Sequence, residues 1–299
     1  MATKIIVTGA NGQVGRALLS RLWDTSAETY AVARTGSSLQ ASKVLTSPLD
    51  SERVQKAIYQ SDVAVHLAGT FWPKTSNSYY GANVATTAAL VRAVRDSNVK
   101  RIIFLSFVDA CEDSSNEYLR TKGLAENLLQ KTGIPTVVFR CTHLIGSPDS
   151  PGPTARALQS TDGEPVRVLG SGRQIVTPVF VNDVVSAILL AIDKGRGGTY
   201  ELSGPDRMSM DDLVRMVNRN PEVSIRHLPG RLSKFLSKVV PGMPPALIDL
   251  MMRPSVGNAA QAVSEFGLRL TSLGTVWKTI GEASQPPPVS AGEEVGFRA

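Results

Sequence analysis

The chain has 299 residues and a mass of 31.9 kDa, with 42% hydrophobic and 19% charged residues; this suffices for a buried core and excludes a disordered or fibrous protein. The net charge of +6 is a mild excess that suits an anionic small molecule, and no recognition helix, zinc finger or RNA-binding motif accompanies it, so no nucleic acid is expected as partner. Cys111 and Cys141 lack metal-ligand spacing and read as buried thiols, with no metal site; no apolar run approaches the roughly 20 residues of a membrane span, and the start MATKIIVTGANG has no signal-sequence pattern, so a cytoplasmic protein is expected.

Apolar runs and helical stretches then alternate with a period near thirty residues, the pattern of repeated βα units. Strands are expected at 5–7, 30–33, 63–67, 102–105 and 136–139, short and apolar on both faces as in a parallel sheet covered by helices. Helices are expected at 15–23, 51–58, 83–96 and 118–132, the last stopped by Gly133 and Pro135. Beyond Arg140 proline and glycine increase, notably in 146–153 and 163–172, and segments there are expected to leave the sheet. Further strands fall at 179–180 and 199–202, with Asn182 or Asp183 starting a helix over 184–193 and Ser209, Asp211 and Asp212 preceding another. The expected architecture is α/β, a doubly wound parallel Rossmann sheet with a smaller C-terminal substrate-binding subdomain. It divides into a dinucleotide-binding core over 1–145, a mixed region over 146–284 that completes the core and builds the subdomain, and a flexible tail over 285–299.

The segment TGANGQVG, Thr8 to Gly15, follows the first strand directly and opens the first helix. Gly9 permits a tight turn, Gly12 lets backbone approach a pyrophosphate, and Gly15 allows close helix–strand packing; Asn11, Gln13 and Val14 lie in the same cradle, at a helix end with free N–H groups. Arg34 follows the second strand where an NAD site usually carries an acidic residue, and an arginine there pairs with a 2′-phosphate, with Ser37 and Ser38 as added hydroxyl donors. NADP(H) is therefore favoured over NAD(H).

Tyr118 and Lys122 in EYLRTKGLAE are four apart and share a helix face, so the ammonium is expected to lower the phenol's pKa and support proton exchange with a substrate hydroxyl or carbonyl. Ser106, in FLSF, ends the fourth strand, where open parallel sheets bind ligands, and its hydroxyl is placed to orient a substrate oxygen.

With TGANGQVG, VHLAGT, the Asn83 helix, FLSF, YLRTK and VTPVFVNDVVSAI in that order over residues 3 to about 205, the sequence resembles the short-chain dehydrogenase/reductase superfamily, in its extended and atypical epimerase/dehydratase-like branch. The resemblance implies that Ser106, Tyr118 and Lys122 are the catalytic set, that Asp50 contacts adenine or caps that region, and that Leu67, Ala68, Gly69 and Asn83 belong to the cofactor cleft. It places Arg140 and His143 where backbone surrounds the nicotinamide, with structural roles. Ser106 lies twelve positions before Tyr118, a shorter spacing than in sugar epimerases, and FVDACEDSSN replaces a more aromatic segment; the chain is thus similar to the atypical group that includes the nucleotide-binding accessory subunit of respiratory complex I, in which some members bind a dinucleotide without turning it over.

The stretch 231–240, RLSKFLSKVV, reads as a basic amphipathic helix docked on its own domain, in preference to a membrane or protein partner. The expected function is hydride transfer between NADP(H) and a small alcohol or ketone, with a cofactor-retaining epimerase or dehydratase and a non-catalytic sensor or assembly subunit as alternatives. The apolar segments 243–252 and 71–72 point to a substrate less polar than a nucleotide sugar.

Overall fold

The computed structural model describes residues 2–35, 38–73, 78–229 and 244–278. Its strands are β1 (Lys4–Thr8), β2 (Glu28–Val32), β3 (Lys43–Leu45), β4 (Val63–His66), β5 (Arg101–Phe107), β6 (Thr136–Cys141), β7 (Leu144–Ile145), β8 (Val166–Leu169), β9 (Ile175–Val176), β10 (Val179–Phe180), β11 (Gly198–Leu202), β12 (Met208–Ser209) and β13 (Ile225–Leu228). The helices are α1 (Gln13–Trp23), α2 (Glu52–Gln60), α3 (Thr86–Val94), α4 (Glu117–Gln130), α5 (Gly152–Ala157), α6 (Val181–Asp193), α7 (Met210–Asn218), α8 (Pro245–Met252), α9 (Ala260–Phe266) and α10 (Leu273–Val276). A π-helical turn, Tyr80–Ala85, runs directly into α3.

Seven strands form one parallel sheet in the order β11-β6-β5-β4-β1-β2-β3, the doubly wound Rossmann arrangement. The chain runs outward from β1 through β2 and β3, then crosses back to place β4 on β1's other side. That reversal opens a crevice beyond the carboxyl ends of β1 and β4, where such sheets hold ligands.

Alternation along the strands explains why they read as continuous apolar runs. Ile5, Val7, Val63, Val65, Ile103, Val137 and Phe139 face one layer, built by α1 and α6. Their neighbours Ile6, Ala64, Ile102, Phe104 and Val138 face the other, built by α2, α3 and α4. Successive side chains point to opposite faces, and both faces are covered.

After β6 the chain builds three two-stranded pairs, β7 with β10, β8 with β13 and β9 with β12, while β11 returns to the main sheet beside β6. Around these pairs, Ile145, Val168, Met210, Leu213 and Trp277 form a separate apolar cluster. Ser209 caps α7 in a reciprocal box with Asp212, and Gly133 takes a left-handed φ of 74° beyond α4.

Several expectations are corrected. α6 starts at Val181, before the expected caps: Asp183 lies inside the helix, where its carboxylate accepts hydrogen bonds from Thr271 N (2.7 Å) and Oγ1 (2.8 Å) and so anchors the C-terminal segment. Strands β3, β7, β8, β9, β12 and β13 lie outside the expected set. Cys111 is exposed rather than buried. The basic stretch 231–240, Ser37 and the tail 285–299 lie outside the described residues. No described helix is long and apolar enough to cross a membrane.

Candidate active site

The glycine turn between β1 and α1 is built as its sequence requires. Gly9 sits at φ +68°, and a Cβ there would come within 2.5 Å of the Leu67 backbone at the exit of β4. A Cβ on Gly15 would approach the Gly9 carbonyl oxygen to 2.7 Å, so the helix packs against the turn itself. α1 begins on Gly12 with no side-chain cap and no acidic residue in its first turn, leaving its amide dipole open to an anion. These features fit a dinucleotide pyrophosphate. The Asn11 side chain donates to Thr35 O (3.2 Å) and Oγ1 (3.0 Å), which ties the β2 exit, with exposed Arg34, to the turn.

Beside the turn a cavity of about 310 Å³ opens above the carboxyl ends of β4, β5 and β6. Gly9, Gly12, Gln13, Val14 and Gly15 line one side; Ser106, Tyr118 and Lys122 line the other, so the residues expected to carry chemistry share one cleft. Ser106 is 4% exposed, and its Oγ has no hydrogen-bond partner. Lys122 donates to Leu105 O at 2.6 Å and lies 4.4 Å from the Phe104 ring centroid; burial lowers its ammonium to about 8.

Tyr118 is buried among rings, 5.3 Å from Phe71, 5.5 Å from Tyr79 and 5.7 Å from Phe107 by centroid. Burial, with Tyr79 and Cys141 adding, raises its pKa above the ordinary phenol value, against the expectation that Lys122 would lower it. The physical reason is desolvation of the phenolate, while the ammonium is directed to the Leu105 carbonyl. In this state Tyr118 is a proton donor. Asn116 caps α4, accepting from Tyr118 N (3.1 Å) and Leu119 N (3.3 Å), and donates to Ala246 O and the Asp249 carboxylate at 2.8 Å each. It thereby pins apolar α8 against the Tyr118 cluster through Ala246 and Leu250.

Of the other expected residues, Leu67 and Gly69 line the cleft, while Thr8, Ala68 and Asn83 support it without being among its lining residues. Thr8 Oγ1 bonds His66 Nδ1 (2.7 Å) and accepts from Ala68 N (3.2 Å), and His66 Nε2 meets Thr87 Oγ1 at 3.0 Å. Asn83 accepts from Thr70 N (3.2 Å) and donates to Thr121 Oγ1 (2.9 Å), locking the loop after β4 onto α4, with Leu67 and Gly69 on the cavity wall. Arg140 departs from the expectation of a cofactor contact: its guanidinium forms a two-pronged pair with Glu126 (3.1 and 2.6 Å), and it lines a separate depression with Glu201 and Asn258. Asp50 is exposed before α2 and is not among the residues lining the cavity.

Sequence reasoning gave His143 a structural role, yet it lines the cleft, 2% exposed, with neither ring nitrogen partnered. Its position just past the carboxyl end of β6 was the available signal, the same one that marked Ser106 on β5. Trp72 lines the cleft too, with an unpartnered indole N–H. The loop over 146–153 returns to the glycine turn, where Gln13 Nε2 donates to Pro151 O at 3.4 Å.

The chain is 24% identical over 249 residues to the 40 kDa subunit of NADH-ubiquinone oxidoreductase of Neurospora crassa, covering 78% of this chain and 65% of that protein. It is 27% identical over 224 residues to a 4-hydroxy-2-methyl-3-oxo-4-farnesyl-3,4-dihydroquinoline-1-oxide ketoreductase of Stigmatella aurantiaca, covering 65% of this chain and 66% of that protein. Thus the chain spans just under two thirds of the length of these curated relatives. Its fold matches UDP-glucuronic acid 4-epimerase from Bacillus cereus, solved with UDP-glucuronic acid and NAD, at a TM-score of 0.73 and 19% identity over 93% of this chain and 97% of that one. The model of the NAD dependent epimerase/dehydratase family matches residues 5–203, two thirds of the chain, and the protein belongs to that family.

Proposed function

We propose that the protein is an NAD(P)H-dependent reductase of a small carbonyl compound, with NADP(H) preferred through Arg34. The observation that carries the reading is the unpartnered Ser106 hydroxyl, buried in the same cleft as the Tyr118 phenol and beside the uncapped start of α1. A buried hydroxyl without a partner costs about 1–3 kcal/mol, which a substrate oxygen recovers.

The nicotinamide group, when bound, supplies the hydride to the carbonyl carbon. Ser106 Oγ donates a hydrogen bond to the carbonyl oxygen and fixes its position. As negative charge develops on that oxygen, the Tyr118 hydroxyl donates its proton, yielding the alcohol and a tyrosinate that solvent reprotonates. Lys122 stabilises the tyrosinate by its charge, a role that fits an ammonium retained at neutral pH. The aromatic wall formed by Phe71 and Phe107 around Tyr118 lowers the local polarity and strengthens these interactions.

The test is cofactor oxidation over a panel of ketones, comparing wild type with Tyr118→Phe and Ser106→Ala. The expected result is a loss of about 10²–10⁴ in kcat for Tyr118→Phe with cofactor affinity unchanged. A second reading, a non-catalytic dinucleotide-binding subunit, is favoured by the similarity to the Neurospora oxidoreductase subunit. Tight cofactor binding without Tyr118-dependent turnover decides for it.

A further inference from the structure

We propose that His143 binds the substrate directly, and that the cleft selects an uncharged, flat, conjugated carbonyl compound carrying a second hydrogen-bonding heteroatom. This deepens the reductase reading and rests on it for the first carbonyl, held by Ser106 and Tyr118.

Two buried histidines of this chain provide the contrast. His66, fully buried, has both nitrogens satisfied by the Thr8 and Thr87 hydroxyls. His143 is nearly as buried, and neither Nδ1 nor Nε2 finds a partner. A neutral imidazole carries one donor and one acceptor, and leaving either buried and unpaired is costly. The segment that carries the ring is anchored to the strand over 179–180 and to the turn before it. Val179 N donates to His143 O at 2.9 Å, and Thr142 Oγ1 donates to Thr177 O at 2.5 Å. The ring stands edge-on to Phe71 and Phe107, at centroid separations of 6.4 and 5.7 Å.

The placement follows from the sheet. Ser106 pairs in register with Arg140 at the end of the adjacent strand, and His143, just past the carboxyl end of that strand, lines the same cleft. One cleft thus carries three unpartnered polar groups: the Ser106 hydroxyl, the His143 imidazole and the Trp72 indole N–H. Around them stand Phe71, Phe107 and Tyr118. Lys122 is the one charged side chain lining the cavity among the described residues, and it is engaged by Leu105 O. Such a surface rewards planar apolar area with two polar edges, and among the described residues it offers no cation cluster for a sugar-linked diphosphate.

Calorimetric titration of the NADPH-loaded full chain tests this with three probes: phenanthrenequinone, with two adjacent carbonyls; fluorenone, with one; and UDP-glucuronate. Wild type is expected to bind phenanthrenequinone, and His143→Phe, which keeps the ring and removes the polar atoms, to bind it about tenfold to a hundredfold more weakly. His143→Gln, which restores a donor, is expected to recover most of the loss. Fluorenone binding and NADPH affinity should be unchanged in both variants. Equal phenanthrenequinone affinity in wild type and His143→Phe, tighter binding of UDP-glucuronate, or a parallel loss of NADPH affinity in His143→Phe would each overturn the proposal. His143-dependent binding without turnover upholds it and removes the reductase reading; turnover with His143-independent binding does the reverse.

Discussion

The same histidine makes a prediction about stability that needs no ligand. Burial pulls the His143 imidazole down from 6.5 to about 4, so the folded chain holds it neutral while the unfolded chain takes up a proton as the pH falls. The stability tied to that neutral state is fully present above pH 6.5 and is lost as the pH drops towards 4. At about pH 5 the loss amounts to about 2 kcal/mol, at about 1.36 kcal/mol per pH unit. Replacing His143 by Phe removes the titration and also the unpaired nitrogens, about 1–3 kcal/mol of desolvation cost. The variant should be at least as stable as wild type near pH 7.5, and its advantage should grow by about 2 kcal/mol near pH 5. Urea unfolding followed by tryptophan fluorescence at the two pH values measures the difference. A stability difference independent of pH would refute the reasoning, because it would mean that His143 exchanges protons freely in the folded state.

Gly9→Ala should lower stability by about 2 kcal/mol or more, since the left-handed φ and the 2.5 Å approach to Leu67 both resist a Cβ. It should also weaken dinucleotide binding, and a thermal melt paired with a cofactor titration reads both effects. Arg34→Ala should reduce NADPH affinity about tenfold and leave NADH affinity nearly unchanged by calorimetry; equal losses for the two cofactors would remove Arg34 from 2′-phosphate recognition.

The parts legible in the sequence are those governed by local rules. The central strands announce themselves because both faces are buried, as with Ile5 and Val7 on one side of the sheet and Ile6 on the other. The glycine turn and the Tyr118–Lys122 spacing are also local, and the structure brings both to one cleft. β3 escaped notice because it is a three-residue edge strand with one exposed and one half-exposed position, and β13 because its outward residues are polar. Asp183 reads as a helix cap by type and position, yet its partner, Thr271, is 88 residues away. The same holds for Asn116, whose amide reaches α8 across 130 residues, and for Arg140, whose charge is taken up by Glu126 on the helix covering the sheet. Whether a polar side chain at a strand end is satisfied or left open depends on such distant partners, which is why His143 and His66 look alike in the sequence and differ in the fold.

The central claim is that the cleft beside the glycine turn binds a nicotinamide cofactor and that Tyr118 delivers the proton there. The most direct measurement loads wild type and Tyr118→Phe with NADPH, confirms equal affinity by titration, and follows a single turnover of phenanthrenequinone by loss of reduced-cofactor absorbance. The account predicts cofactor oxidation in wild type and a rate at least about a hundredfold lower in the variant. Equal rates in the two proteins, or tight NADPH binding with no oxidation in either, would contradict it.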